Sequence, residues 1–407
     1  MAITRAGKSR KFVFLVGDGM GDYPLEKLGG KTPLEAADTP HMDRIASCRL
    51  GLVATIPRGM EPGSDVANLS LLGYDPRIYH RGRAPLEAAS LGVRLGPDQV
   101  AFRMNLVTLE FRSPDEIIMI SHSAGDVSTE EAGPILRDLG AAYDLPGIEI
   151  HQGVAYRHLL VWDDGPEREK TIPPHDVLDQ DMSPYLREAG SNPVPDMIRR
   201  SWDILRDHPV NRDRRRQGRK EANSIWLWGQ GKAPRMPLFS DRYGLRGGVI
   251  SAVDLLKGTG IYAGFRPIHV EGATGYLDTN YSGKVDAALT GLRDLDFVFL
   301  HVEAPDEAGH SGNTDEKIEA IERFDSRVVG PILEGLAPME DYRVMVVSDH
   351  FTPIVKKTHT GDPTLFAWAG KAELEARPEG PPFTESAASR TGLFFTQGHE
   401  LMSAFLA

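Results

Sequence analysis

The sequence predicts an α/β fold with a central, mostly parallel sheet flanked by helices, and a smaller α+β domain inserted into it. Continuous apolar runs at residues 12–16, 297–300 and 344–347 are typical of strands buried on both faces of a parallel sheet. The first run lies more than two hundred residues before the other two, and shorter strands with proline-rich loops fill the interval. Only a domain built from discontinuous segments brings these runs into one sheet.

The length of 407 residues is too great for a single small core, so we expect two domains. Residues 1–76 and 236–407 are predicted to form the core with the parallel sheet, and residues 77–235 to form the inserted domain. A composition of 41% hydrophobic and 26% charged residues is ordinary for a soluble globular protein.

Local signals in the first segment predict a strand and two helices. Residues 11–16 form the first strand, because the run is apolar throughout. Thr39 as N-cap and Pro40 at the first helical position indicate the start of a helix. Residues 63–73 read as a turn that leads into a helix, which Gly73 ends.

The alternation of strands and helices changes in the middle of the chain and resumes near residue 247. Residues 116–120 and 158–162 are predicted strands of the inserted domain. We expect a helix around residues 249–257 and another at residues 316–329, between the last two buried strands.

Charge and cysteine content exclude several classes of protein. A formal charge of −12 argues against a general nucleic-acid binder, which needs a basic surface. We interpret the one basic cluster as a solvated loop; it contains Arg212, Arg214, Arg215, Arg216, Arg219 and Lys220. No stretch approaches the roughly 18 apolar residues of a membrane span. A single cysteine, Cys48, forms no internal disulfide, and with no signal peptide at residues 1–11 we expect a cytoplasmic protein.

Polar side chains follow each buried run. Asp18 comes after the first, Asp306 and His310 after the second, and Asp349 with His350 after the third. The carboxyl ends of parallel strands lie at one edge of a sheet, where open α/β sheets build their sites. Carboxylate and imidazole ligands suit Mn²⁺, Mg²⁺ or Zn²⁺. The sequence therefore predicts a site for two metal ions at this edge.

Ser64 is the candidate nucleophile. It follows Gly63 at the start of a predicted helix, where backbone N–H groups and the helix dipole favour a phosphate. A hydroxyl becomes a good nucleophile only when a base or a metal lowers its pKa. A serine in this place is more commonly a simple N-cap. The surrounding ligand set favours phosphoryl transfer over that interpretation.

Longer motifs then point to a family. They lie at residues 17–22, 63–76, 82–88, 101–105, 174–176, 228–231, 275–281, 301–310 and 348–350. With these motifs the chain resembles, over nearly its whole length, the archaeal type of the cofactor-independent phosphoglycerate mutases in the alkaline phosphatase superfamily. The resemblance implies an alkaline-phosphatase-like core, and a substrate-binding or lid role for the inserted domain.

The resemblance also implies an activity and the roles of residues. The activity is the interconversion of 3-phosphoglycerate and 2-phosphoglycerate in glycolysis and gluconeogenesis, without 2,3-bisphosphoglycerate. Ser64 would be phosphorylated. One divalent ion would be held by Asp18, Ser64, Asp349 and His350, and the other by Asp306, His310 and His359. Mn²⁺ is the first expectation, with Mg²⁺, Co²⁺ or Zn²⁺ as alternatives. His359 rests on the resemblance alone, since no local spacing points to it.

Binding of a small phosphorylated hydroxy acid requires cationic side chains, and arginine suits both phosphate and carboxylate. Arg103, Arg157 and Arg246 are the candidates, with His122 as a phosphate contact or proton shuttle. No nucleic-acid or membrane partner is expected, and a homo-oligomer is left open.

Two alternative functions remain from the sequence. The same metal site serves enzymes that hydrolyse phosphate esters or transfer phosphate to another small alcohol such as homoserine, because it handles the phosphoryl group and not the carbon skeleton. A metal-stabilised binding or regulatory protein without turnover is the other alternative. The complete set of ligands and the intact Ser64 argue against it.

Overall fold

A computed structural model describes residues 10–143, 146–187, 192–376 and 379–407. Residues 1–9, part of the segment on which the expectation of no signal peptide rests, lie outside this description. The described chain divides into two compact units, one from the segments up to His80 and from Arg235 onward, and one over Arg81–Pro234. None of the helices in the described segments has both the length and the apolar character that crossing a membrane requires.

The described strands, in chain order, are β1 (Lys11–Gly17), β2 (Leu50–Val53), β3 (Gln99–Ser113), β4 (Glu116–Ser121), β5 (Ile148–Val154), β6 (Arg157–Asp163), β7 (Ser224–Lys232), β8 (Gly247–Ile250), β9 (Arg266–Pro267), β10 (Phe297–Val302), β11 (Tyr342–Ser348), β12 (Thr364–Gly370) and β13 (Phe394–Phe395).

The described α-helices are α1 (Pro33–Ala36), α2 (Pro40–Ala46), α3 (Ser64–Leu71), α4 (Pro76–Tyr79), α5 (Ala84–Ser90), α6 (Thr129–Ala142), α7 (Ser183–Leu186), α8 (Val194–Leu205), α9 (Pro209–Arg216), α10 (Phe239–Tyr243), α11 (Asp254–Tyr262), α12 (Tyr281–Gly291), α13 (Ala304–Ser311), α14 (Thr314–Phe324), α15 (Gly330–Leu336), α16 (Lys371–Ala376), α17 (Glu385–Arg390) and α18 (Leu401–Leu406). Short 3₁₀ turns lie at Glu26–Leu28, Pro174–Val177 and Gly398–Glu400, and a π-helical turn at Asp325–Val329 joins α14 to α15.

The first unit is built on an eight-stranded sheet with the order β13-β2-β12-β11-β1-β10-β8-β9. β1 pairs in parallel with β10 on one side and with β11 on the other. β12 is antiparallel both to β11 and to β2, whereas the outer strands β8 and β9 continue the parallel arrangement. The prediction of an α/β fold with a mostly parallel central sheet is confirmed.

Side chains of β1 enter two separate hydrophobic cores. Val13 and Leu15 pack on one face of the sheet, and Phe14 and Val16 pack on the other. All four are fully buried. Successive side chains of a strand point to opposite faces, so a sheet covered on both sides produces a continuous apolar run. This is why the sequence shows no alternation in its three central strands.

The second unit has an antiparallel sheet in which β3, 15 residues long, pairs with β4, β6 and β7. Its own core joins Phe102 and Met104 of β3 with Ile135 of α6 and Ile198 of α8. An antiparallel sheet packed against separate helices is the α+β arrangement expected of the insertion.

The predicted helix over residues 249–257 is wrong in its first part. Val249 and Ile250 belong to β8, where they pair with Phe299 and Leu300 of β10, and the helix starts only at Asp254. A strand of four residues is too short to show a period of its own. Pairing with the neighbouring buried strand therefore decides its conformation.

The interpretation of the basic cluster as a solvated loop is wrong in part. The other members of the cluster are exposed, but its first part forms α9, and Arg214 is only 1% exposed. The Arg214 guanidinium lies 2.6 Å from Glu131 Oε2 and donates to the carbonyl oxygens of Ala124 and Gly125. Arg214 is thus a buried cross-link of the second unit, because its five donors satisfy several buried acceptors at once.

A buried ion pair connects two loops of the first unit. Lys317 of α14 is fully buried, and its Nζ lies 2.8 Å from Asp22 Oδ2 in the loop after β1. The same Nζ donates to the carbonyl oxygen of Gly21 at 3.2 Å and to that of Thr352, in the loop after β11, at 2.9 Å. Lys317 therefore fixes both loops against one helix.

Replacement of Lys317 by methionine is expected to lower the free energy of unfolding by about 3–5 kcal/mol, because it leaves the buried Asp22 carboxylate without its countercharge. Urea denaturation of the metal-free protein measures this. Lys257→Met is the matched control: Lys257 pairs with Asp254 at an exposed position, so its loss is expected to cost less than about 1 kcal/mol. Equal stability of Lys317→Met and the wild type would contradict this contribution of the Lys317–Asp22 ion pair to the free energy of unfolding.

Candidate active site

The predicted metal ligands meet at the carboxyl ends of the central strands. Asp18 follows β1, Asp306 lies in α13 directly after β10, and Asp349 and His350 follow β11. Asp18, Asp349 and His350 are at most 1% exposed, and Asp306 is 4% exposed. Because β10, β1 and β11 are adjacent and parallel, these side chains share one edge of the sheet.

A first group of ligands consists of Asp18, Asp349 and His350, whose donor atoms all lie within 4.8 Å of one another. The backbone N–H of Gly19 donates to Asp349 Oδ1 at 3.0 Å, and the Asn68 amide donates to Asp349 Oδ2 at 2.7 Å. The Asp349 carboxylate is therefore held in one orientation before any cation binds.

Ser64 is the first residue of α3 and lies beside this group. Its Oγ is 3.1 Å from His350 Nε2. The N-cap of the helix is Gly63, and no side chain caps this end of α3. The hydroxyl of Ser64 is thus directed to the ligands and does not serve as the cap that the alternative interpretation required.

A second group consists of Asp306, His350 and His359, again with donor atoms within 4.8 Å. His310 joins it: its Nε2 lies 3.2 Å from Asp306 Oδ2 and 3.0 Å from His359 Nε2. The spacing of Asp306 and His310 along α13 places them on the same helical face, as predicted. His350 belongs to both groups, so the two sets inferred from the sequence adjoin.

The electrostatics of the groups favour a cation. Burial, reinforced by the charge of Asp349, raises the pKa of Asp18 well above its usual value. Burial also acts to raise the pKa of Asp306, but hydrogen bonds from His310 and His359 hold it well below the usual value. Asp18 Oδ1 is buried, accepts no hydrogen bond and lies 3.3 Å from His350 Nε2. Carboxylates packed this closely need positive charge between them, so the residues present fit divalent metal ions.

The pKa values of two imidazoles in this site are shifted in opposite directions. The hydrogen bond to Asp306 raises the pKa of His310 to about 9. Burial lowers the pKa of His350. A metal ligand must be a neutral imidazole, so cation binding at His310 would displace a proton.

Sequence reasoning missed several residues that hold the ligands. His301 of β10 lies with Nε2 2.9 Å from Asp18 Oδ2, and burial lowers the pKa of His301 to about 3. Thr352 donates to Asp306 Oδ1 at 2.5 Å, and Asn68 also bonds the backbone carbonyl of Ser64. A polar residue inside a buried apolar run was the signal for His301, and the four-residue spacing from Ser64 on one helical face was the signal for Asn68.

Three of the four substrate candidates lie in the second unit. Arg103 of β3 pairs with Glu87 at 3.0 Å, and its Cζ lies 3.9 Å from the centroid of the Trp228 ring. Burial is the main cause that lowers the pKa of Arg103, and the positive charge of Arg157 lowers it further. His122 is half-buried in the same unit. Arg103 and Arg157 therefore lie close enough within the second unit for their charges to interact.

Arg246 does not reach the metal ligands. It immediately precedes β8, and its Nε lies 3.1 Å from Asp296 Oδ2, just before β10. Since β8 and β10 are parallel to β1, this ion pair marks the amino end of the sheet, opposite to Asp18. The Arg246 side chain is 59% exposed. The prediction that Arg246 binds the substrate is therefore withdrawn.

Comparison with known proteins identifies the family to which this chain belongs. A protein from Methanothrix thermoacetophila named 2,3-bisphosphoglycerate-independent phosphoglycerate mutase is 49% identical over 400 residues, which cover 98% of this chain and 100% of that protein. The chain belongs to this family. The family model for 2,3-bisphosphoglycerate-independent phosphoglycerate mutase matches residues 46–211, and the model for type I phosphodiesterase / nucleotide pyrophosphatase matches residues 175–380.

Solved structures agree with this membership. A protein from Pyrococcus horikoshii is 31% identical, with a TM-score of 0.80 over 98% of this chain and 97% of that one. A cofactor-independent phosphoglycerate mutase from Thermoplasma acidophilum is 25% identical, with a TM-score of 0.63 over 98% and 99% of the two chains. The family lies within the alkaline phosphatase superfamily, and membership implies divalent metal ions.

Proposed function

We propose that the protein interconverts 3-phosphoglycerate and 2-phosphoglycerate, without 2,3-bisphosphoglycerate, through a phosphoserine at Ser64. The observation that carries this proposal is the position of Ser64 Oγ, 3.1 Å from His350 Nε2 at the amino end of α3 and beside both ligand groups. The 49% identical relative of this name supports the choice of substrate. The reaction would serve glycolysis and gluconeogenesis, and with the lone Cys48 it supports a cytoplasmic location.

The proposal includes two divalent ions, with Mn²⁺ first and Mg²⁺, Co²⁺ or Zn²⁺ as alternatives. One would be held by Asp18, Ser64, Asp349 and His350, and the other by Asp306, His310 and His359. Carboxylate oxygens and imidazole nitrogens are the donors that such ions take. When bound, the ions would lower the pKa of the serine hydroxyl and offset the negative charge of the phosphoryl oxygens.

Ser64 carries the phosphoryl group between the two hydroxyls of glycerate. Its Oγ attacks the phosphorus of 3-phosphoglycerate and loses its proton, the bond between the phosphorus and the 3-oxygen breaks, and the 3-oxygen gains a proton in exchange. The 2-hydroxyl then attacks the phosphoserine and loses its proton, the bond between the phosphorus and Ser64 Oγ breaks, and Ser64 Oγ is protonated again as 2-phosphoglycerate forms. The amino end of α3 favours the phosphate through its N–H groups and dipole, and Asn68 holds the Ser64 backbone.

Conversion of 3-phosphoglycerate by the purified, Mn²⁺-loaded protein tests the proposal. The assay omits 2,3-bisphosphoglycerate and follows 2-phosphoglycerate through enolase. Formation of 2-phosphoglycerate that stops on chelation supports the mutase and its need for metal together. Release of inorganic phosphate without formation of 2-phosphoglycerate would indicate a phosphatase and not a mutase. Phosphorylation of another alcohol such as homoserine would indicate a different phosphotransferase.

We propose further that Arg157 binds the substrate. Arg157 is the exposed candidate, with its Cζ 5.4 Å from the centroid of the Tyr156 ring. Arg157→Gln is expected to raise KM about tenfold or more, because a lost ionic contact with a carboxylate or phosphate costs roughly 1.5–3 kcal/mol. Steady-state kinetics with 3-phosphoglycerate measure this.

Arg246→Gln is the matched control for that substitution. Arg246 is an exposed arginine at the amino end of the sheet, so its loss is expected to leave KM unchanged. An effect of Arg246→Gln on KM as large as that of Arg157→Gln would contradict the assignment of Arg157 to substrate binding.

A further inference from the structure

His301 lies directly behind Asp18 and has a polar contact at each ring nitrogen. Its Nε2 is 2.9 Å from Asp18 Oδ2, and its Nδ1 is 3.3 Å from Ser251 Oγ, in the loop after β8. The ring is fully buried. A buried imidazole with a partner on both sides is fixed in position and orientation.

Ser251 is the partner of the ring nitrogen that faces away from Asp18. A carboxylate can only accept hydrogen bonds, so Nε2 must donate to it, and Nδ1 is left to accept from the Ser251 hydroxyl. Ser251 Oγ in turn accepts the backbone N–H of Val253 at 2.9 Å. The neutral ring then has its proton on Nε2, the nitrogen that faces Asp18. His301 is thereby prepared to donate a hydrogen bond to the Asp18 carboxylate.

The main chain at His301 is held as well. Lys284 of α12 is fully buried and donates from Nζ to the backbone carbonyl oxygen of His301 at 3.0 Å. His301 also stands opposite Val16 in the pairing of β10 with β1. The donor to Asp18 is therefore anchored to the sheet and to a helix, and not to a mobile loop.

We propose that His301 is a positioning residue for the metal site, which engages Asp18 Oδ2 and leaves Oδ1 as the oxygen that binds the cation. Asp18 Oδ1 supports this division of roles, because it is buried, accepts no hydrogen bond and faces His350 Nε2 at 3.3 Å. The inference rests on the proposed role of Asp18 as a ligand. Groups that orient a metal ligand from behind commonly change metal affinity by about 10–100-fold.

Calorimetric titration of the full-length, metal-free protein with Mn²⁺ tests the inference without substrate. His301→Leu is expected to weaken the binding of one Mn²⁺ by about 10–100-fold and to leave the other near its wild-type affinity. His301→Gln, whose amide can donate to Asp18 from nearly the same place, is expected to restore most of that affinity. Ser251→Ala removes the partner of the ring nitrogen that faces away from Asp18 and is expected to have an intermediate effect.

His158→Leu is the matched control, since His158 is also a buried histidine on a strand, 2% exposed, but lies in the second unit. It is expected to bind Mn²⁺ as the wild type does. Wild-type affinity of His301→Leu would overturn the inference, as would a His301→Gln variant as weak as His301→Leu. If His301→Leu fails to fold, the other two variants decide. The inference would be overturned if Ser251→Ala binds Mn²⁺ with wild-type affinity while His301→Gln binds it about 10–100-fold more weakly than the wild type. The affinities are read without turnover, so failure here is distinct from failure of the mutase proposal.

Discussion

Ser64→Ala is expected to lower mutase activity by at least about 10³-fold while the fold is retained. The substitution removes the only atom that can carry the phosphoryl group in the proposed reaction, and loss of a covalent nucleophile costs several orders of magnitude. The fold is expected to tolerate the change, because Ser64 is not the N-cap of α3 and alanine is a good helix former. Coupled assays measure the activity, and urea denaturation measures the stability.

Ser70→Ala is the matched control, since Ser70 lies on the same helix. The Ser70 Oγ donates to the carbonyl oxygen of Thr55 at 2.6 Å and is not among the ligand groups. We expect it to lose about 1 kcal/mol of stability and to keep its activity. Normal turnover by Ser64→Ala would contradict a phosphoserine intermediate at this residue.

Asp18→Asn is expected to have opposite effects on the metal-free and the metal-loaded protein. Without metal, burial and the neighbouring Asp349 raise the pKa of Asp18 well above its usual value. Such a group stabilises the fold at acid pH, and this contribution is lost as the pH rises from about 4 through the raised pKa. At pH 8 the metal-free Asp18→Asn variant is therefore expected to be more stable than the wild type by about 1 kcal/mol or more, with a smaller difference at pH 5.

With Mn²⁺ present the wild type is expected to be more stable than Asp18→Asn, because asparagine lacks the negative charge with which Asp18 binds the ion. The variant should gain less thermal stability from Mn²⁺ than the wild type, because only the group around Asp306 keeps all its ligands. Its activity should fall by about 10²-fold or more, the effect of several kcal/mol of lost binding at the Asp18 group. Melting curves with Mn²⁺ and with a chelator, at pH 5 and pH 8, measure all of this. Asp254→Asn changes an exposed carboxylate on α11 and should alter neither curve. A variant less stable than the wild type in the chelator at pH 8 would contradict the account of the Asp18 environment.

The central strands and most of the candidate ligands could be predicted because their signals are local. β1, β10 and β11 are buried on both faces, which favours apolar residues at most positions, with His301 of β10 as an exception. Polar residues directly after such strands must lie at the end of the sheet, and this identified Asp18 and Asp349. The helical spacing of Asp306 and His310 added a second ligand pair. His359 has no such signal: it lies in the loop between β11 and β12, and only tertiary packing brings it to Asp306.

Features that depend on distant partners could not be read from the sequence. The position of β12 between β11 and β2, antiparallel to both, follows from packing and not from its own residues. Arg214 was assigned to solvent because its acceptors, Glu131 among them, are far away in sequence. A polar residue in a buried strand marked His301, but its role could not be assigned, because its partner Asp18 is 283 residues away in the sequence.

The phosphoserine is tested most directly by labelling. The Mn²⁺-loaded protein is incubated with 3-[³²P]phosphoglycerate and quenched with acid, and the labelled residue is then mapped. The account predicts label on Ser64, found in a single phosphopeptide, that is removed by a chase of unlabelled 3-phosphoglycerate and is absent from Ser64→Ala. Label on a different residue, or full turnover with no labelled protein under these conditions, would contradict it.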